Sequence, residues 1–96
     1  MLRILKQARA EDDLVDIWLY SLEKWGGNQA DLYLDKLGEG IISIAHNPAI
    51  GKDCGHIRQG YRRLHVAHHM IYYRTGPGQI EIIRVLHESM DPDRHL

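Results

Sequence analysis

The sequence holds one cysteine, three prolines and no apolar run near the eighteen or so residues of a membrane span. Cys54 has no second thiol to pair with, and a lone thiol among Gly51, Lys52, Asp53 and Gly55 points to a reducing compartment. The apolar start is interrupted at Arg3 and followed by Lys6, Arg9 and an acidic cluster, which is not the core of a secretory signal. With 44% apolar and 26% charged residues, disorder, collagen-like repeats and low-complexity tracts are excluded. Ninety-six residues leave room for a single domain, 1–96. Excess charge is missing too: the net count is −1. Residues 1–47 carry five Lys/Arg against eight Asp/Glu, and residues 48–96 carry seven against five. Tight, sequence-general nucleic-acid binding calls for a strongly basic face, so it is disfavoured.

Also absent are a glycine-rich phosphate loop, a Cys-x-x-Cys pair, a serine nucleophile elbow and an H-E-x-x-H helix, so no motif implies a cofactor or a resident metal. Two weaker constellations remain. His87, Asp91 and His95 recur at four-residue steps, the spacing of ligands on one helix face, but Pro92 interrupts such a helix. The plainer reading is a strand-ending histidine that fixes a C-terminal turn. His65, His68 and His69 lie close to Arg62 and Arg63, residue types that suit phosphate binding and proton transfer, against the plainer reading of a solvated hairpin edge.

Periodicity sets the order of elements. Residues 2–6 read as a short strand. From about Ala8 to Trp25, Leu14, Ile17, Trp18, Leu22 and Trp25 fall on one helical stripe with Asp12, Asp13, Asp16, Glu23 and Lys24 facing elsewhere, so both tryptophans are expected in the core. Gly26-Gly27 ends this helix. Asn28 is the expected N-cap of a second helix reaching about His46, with Asp31 at its third position, and Asn47-Pro48 stops it. Gly38 and Gly40 inside that helix suit close approach to a flat neighbour such as a sheet. A loop follows to Gly60, with a short extended piece expected at His56-Ile57-Arg58. Tyr61–Val66, Met70–Thr75 and Gln79–Leu86 then alternate as strands, the last apolar on both faces, with Gly76-Pro77-Gly78 as a turn. The pleat separates Tyr72 from Tyr73, so only one of them is expected in the core. The order β-α-α-β-β-β is an α+β fold, an N-terminal strand and antiparallel helical hairpin packed on a C-terminal antiparallel sheet.

An ordered set of residues spanning nearly the whole chain resembles the ParE toxins, one branch of the RelE/ParE superfamily. It runs from Ala10-Glu11-Asp12-Asp13-Leu14 through Trp25-Gly26, Tyr33 and Asn47-Pro48 to Tyr61-Arg62-Arg63, Ile71-Tyr72-Tyr73-Arg74 and Leu86-His87 with Met90-Asp91. The resemblance implies the toxin of a type II toxin–antitoxin pair in the bacterial cytoplasm. It would bind DNA gyrase, stabilise its cleaved DNA complex, and be neutralised in a hetero-oligomer by a ParD-like antitoxin. The same resemblance implies antitoxin contacts at Arg62, Arg63, Tyr73 and Arg74, gyrase contacts at His87, Met90 and Asp91, and no chemistry of its own. The RelE branch offers the alternative, a ribosome-dependent mRNA endoribonuclease, which here needs Arg62, Arg63, Arg84 and His87 acting together.

Overall fold

A computed structural model describes all of residues 1–96. Strand β1 (Arg3–Lys6) leads into helix α1 (Ala8–Trp25) and helix α2 (Gly27–His46). Strands β2 (Lys52–Asp53), β3 (Tyr61–Val66), β4 (His69–Gly76) and β5 (Gln79–His87) follow, and a single turn of helix, α3 (Pro92–His95), ends the chain. The sheet order is β1-β5-β4-β3-β2. The expected antiparallel meander is present, and β1 joins it parallel to β5, with Ile4 opposite Ile80 and Lys6 opposite Ile82. The α+β class therefore holds, with a mixed sheet.

Helix α1 buries Ala10 and Ser21 and packs Leu14 and Ile17 beside them, while α2 buries Ala30, Leu37, Ile41, Ile44 and Ala45. Small residues on the contact stripe let both helices lie close to Ile71, Tyr73, Ile80, Ile82 and Val85 of the sheet. Gly40 belongs to that approach, because an added Cβ would stand 2.7 Å from Val66 Cγ2; Gly38 does not, having open space around it. The expectation for Trp18 and Trp25 fails. Trp25 is 60% exposed, and Trp18 lies at the rim with its indole N–H donating to Asp31 Oδ1 at 2.9 Å. Both are turned around α1 from the stripe that Ala10 and Ser21 place against the sheet.

The hairpin link is shorter than expected. Gly26 alone connects the helices at φ +88, its N–H donating to Leu22 O and its carbonyl accepting from Ala30 N–H, so α2 begins at Gly27 and has no use for an Asn28 cap. The extended piece after α2 is Lys52–Asp53, paired with Arg63 and Arg62, and not His56–Arg58, where the Cys54 carbonyl accepts from both Ile57 and Arg58 N–H and folds the chain into a turn.

Tyr72 and Tyr73 are both buried, which overturns the expectation that one would face solvent. Tyr73 enters the main core; Tyr72 lies on the opposite face in a second cluster with Cys54, Ile83 and Leu86, flanked by Ile57, Tyr61 and Leu96. The 54–61 segment and the C-terminus fold over that face, and Arg58 donates to the Leu96 carbonyl at 2.6 Å to hold them together. Burial raises the Cys54 thiol above its ordinary pKa. Opposite the tyrosines, Tyr72 pairs with Arg84 and Tyr73 with Ile82, so Ile83 is the extra residue of a β-bulge.

Candidate functional site

Arg84 follows the bulge and is tied down by two elements, α1 and α3. Its Nε and one terminal nitrogen donate to the Asp13 carboxylate at 2.7 and 2.8 Å, and the other terminal nitrogen donates to the His95 carbonyl at 3.1 Å. The same carboxylate accepts the Val85 N–H at 2.9 Å. The reason is topological: β1 accompanies β5 only as far as Gln7 N–H to Ile82 O, so the β5 edge beyond Ile82 has no strand neighbour, and α1 supplies Asp13 in its place. Asp13, read from periodicity as facing elsewhere, is thus turned toward the sheet edge. Its signal in the sequence was a run of three acids, Glu11-Asp12-Asp13, which does not tell one from another.

Arg62 and Arg63 lie on β3 beside the edge strand β2, Tyr73 and Arg74 lie on β4, and the pleat puts Arg62 with Tyr73 on the helix-covered face and Arg63 with Arg74 on the other. Arg62 donates to Gly51 O at 2.8 Å. Arg74 donates to Glu81 Oε1 at 2.5 Å, and Gln7 Nε2 donates to Glu81 Oε2, which together hold the Glu81 carboxyl below its usual pKa. Tyr73 departs from its expected role as a contact residue. It is fully buried, its hydroxyl donating to Pro48 O at 2.7 Å and accepting Gly51 N–H at 2.9 Å, and burial raises its pKa. It clamps the loop that in turn holds Arg62.

The four residues required of a ribonuclease do not come together. Arg63 pairs with Tyr72 and Tyr72 with Arg84, which puts Arg63 and Arg84 two strands apart, roughly 10 Å, and His87 lies three residues further along β5. Arg84 is held by Asp13, Arg62 by Gly51, and His87 Nδ1 by Ser89, whose hydroxyl lies at 2.7 Å and whose N–H donates at 3.1 Å. Nor do His87, Asp91 and His95 share a helix face: His87 ends β5, and Asp91 is the N-cap of α3, accepting from Asp93 N–H.

At the other end of the sheet the histidines divide into two groups. His65 Nε2 and His68 Nδ1 lie 2.9 and 3.0 Å from the two oxygens of Glu88, whose pKa these hydrogen bonds lower, and Glu88 N–H donates to His68 O. His69 sits under α2, its Nδ1 2.6 Å from the Tyr33 hydroxyl. That hydroxyl also accepts the His68 N–H at 3.1 Å, and the tautomer of the His69 ring sets which of the pair donates in the short contact. Burial, reinforced by His87 and His68, pushes His69 down to about 4. The rings of Tyr33, His69 and His87 meet edge to face at 5.5 and 5.3 Å between centroids. They form one wall of an apolar groove of about 380 Å³ completed by Ile17, Tyr20, Trp25 and Met90, with Asp16 at its rim. Two of the three expected gyrase contacts, His87 and Met90, line this groove; Asp91 is exposed next to it.

Over residues 4–92 the sequence matches the family described as ParE toxin of type II toxin-antitoxin system, parDE. It is 44% identical over 95 residues to Toxin ParE1 of Mycobacterium tuberculosis, covering 98% of this chain and 97% of that protein. Toxin ParE1 of Caulobacter vibrioides is 46% identical over 88 residues, 92% of this chain and 91% of the relative. Toxin ParE of Escherichia coli is 32% identical over 85 residues, 88% and 82% of the two chains. In fold, the chain superposes with a TM-score of 0.79 on a structure titled chromosomal ParDE TA system from P. aeruginosa, at 19% identity over 91% of this chain and 96% of that one.

Proposed function

The chain belongs to the ParE toxin family of type II toxin–antitoxin systems, and from that membership we propose that it stalls DNA gyrase on cleaved DNA by binding, without chemistry of its own. A ParD-like antitoxin holds it in an inactive hetero-oligomer in the bacterial cytoplasm. The observation that carries the non-enzymatic reading is the Asp13–Arg84 pair: the sheet arginine that mRNA cleavage needs is bonded to α1 and to the C-terminal turn, and lies two strands away from Arg62 and Arg63. A binder needs only a few anchors on its surface.

Two surfaces carry the two interactions. Acidic side chains of the antitoxin meet Arg62, Arg63 and Arg74, while Tyr73 acts from beneath by holding the loop under Arg62. A tail that orders on binding spends part of its interaction energy on that ordering, so tight capture calls for a total buried surface above roughly 2,000 Å². Gyrase meets His87, Met90 and Asp91 at the opposite end of the sheet.

Purified toxin is added to gyrase and plasmid, beside translating ribosomes carrying a reporter mRNA. Linear plasmid rising with dose while mRNA stays intact is the expected result; cut mRNA with unaffected gyrase overturns it. Charge reversal at Arg62 and Arg63 is expected to weaken antitoxin binding in calorimetry on folded protein, and unchanged affinity removes those residues from the interface.

A further inference from the structure

The groove at the linked end of the helical hairpin, beside Gly26, has a composition that selects its occupant. Tyr20 and Trp25 are 56% and 60% exposed and stand edge to face, 6.1 Å between ring centroids. Tyr33 and His87 form the facing wall, and Met90, 45% exposed, lies at the mouth. At the rim of this apolar surround α1 places the exposed Asp16, a carboxylate that makes no ion pair and no hydrogen bond in the structure, whereas its neighbour Asp13 is fully engaged.

From this combination we infer that the groove is a receptor for an arginine side chain presented by a protein partner, the guanidinium stacking on the exposed Trp25 ring and pairing with Asp16. Aromatic faces carry negative charge density and attract cations, and a planar guanidinium stacks on them while donating in a fork to a carboxylate. An aliphatic occupant would desolvate Asp16 without a partner, and an acidic one would face both the carboxylate and the ring faces. Lysine is a compact, strongly hydrated charge that cannot stack. The chain itself shows that Tyr20 accepts a cation, since Lys24 Nζ lies 5.7 Å from its ring centroid. His69, held uncharged behind the wall, brings no opposing charge at neutral pH.

The inference deepens the gyrase reading by stating what the target must present at His87 and Met90, and its test uses no gyrase, so either can fail alone. ¹H–¹⁵N spectra of the full chain are recorded at constant ionic strength while N-acetyl-arginine amide is titrated to about 100 mM, the range in which a single side chain binds. The uncharged citrulline derivative and the lysine derivative serve as comparators. The Trp25 indole N–H is expected to shift saturably with arginine, with a Kd on the order of 10 mM, while the Trp18 indole, bonded to Asp31, stays in place. Asp16→Asn and Trp25→Ala should each weaken binding roughly threefold or more, and Lys24→Ala, which frees a face of Tyr20, should not weaken it. Equal shifts with citrulline, equal shifts at both tryptophans, or no saturable shift with arginine each overturn the proposal.

Discussion

Replacing Asp13 by alanine tests the knot that joins the helical hairpin, the bulged strand and the C-terminal turn. The side chains of Asp13 and Arg84 are 14% and 12% exposed. Removing one partner of a well-buried pair costs about 3–5 kcal/mol, and this exposure places the pair near the lower end. The Val85 N–H, left without an acceptor at the open β5 edge, adds about 1 kcal/mol. A total of roughly 3–4 kcal/mol is a large part of the 5–10 kcal/mol expected of a domain this size and lowers the melting temperature by roughly 15–25 °C. Asp13→Asn keeps an acceptor for Val85 and loses the charge, so its cost is nearer 2 kcal/mol. In Asp13→Ala/Arg84→Met the uncompensated guanidinium is gone, and roughly 1–2 kcal/mol returns relative to the sum of the single variants. Urea titrations followed by circular dichroism give all four values. A loss below about 1 kcal/mol for Asp13→Ala, or strictly additive single and double variants, would refute the claim that Arg84 is committed to the scaffold, and would return it to the candidates for chemistry.

Tyr73→Phe removes the hydroxyl that clamps Pro48 and Gly51, costing roughly 1–3 kcal/mol and speeding amide exchange at Gly51; unchanged exchange there would show that the loop holds without it. Gly40→Ala gains about 1 kcal/mol of helix propensity but drives a Cβ to 2.7 Å from Val66 Cγ2 and 3.3 Å from Ile71 Cδ1. A net loss of roughly 1–2 kcal/mol in chemical denaturation, relieved by Val66→Ala, is the expected outcome. His69 is held near 4 against an ordinary 6.5, so its proton binds the unfolded chain more readily and stability falls as pH drops from 6.5 through 4. The full shift corresponds to about 3 kcal/mol, and water reaching the groove side of the ring reduces this to about half. His69→Gln should flatten that part of the stability–pH curve, and an equally steep curve in the variant would assign the loss to other groups.

The order of elements, the positions of both helices and the three antiparallel strands were legible because hydrophobic period and glycine–proline punctuation are local properties. So was the family, through an ordered set of residues running from Ala10 to Asp91. Local pattern also marked β5 as apolar on both faces, and Ile80 and Ile82 on one side with Ile83 and Leu86 on the other agree. Tertiary structure decided what lay beyond one segment's reach. Whether Tyr72 and Tyr73 are both buried depends on the 54–61 segment and Leu96 covering the second face, and the Arg58–Leu96 bond that joins them spans 38 positions in the chain. Which acid of Glu11, Asp12 and Asp13 matters depends on where β1 stops along β5, because only there does a free strand edge need an acceptor. The arginines and His87 share a residue chemistry that the sequence displays, but strand register separates them and gives Arg84 to Asp13. Trp25 lies on the helical pattern yet ends at an exposed rim, because the small residues Ala10 and Ser21 are the ones that fit against the sheet. Composition and period thus determined which elements form; which side chains meet was decided by packing, through distances between segments that no local pattern encodes.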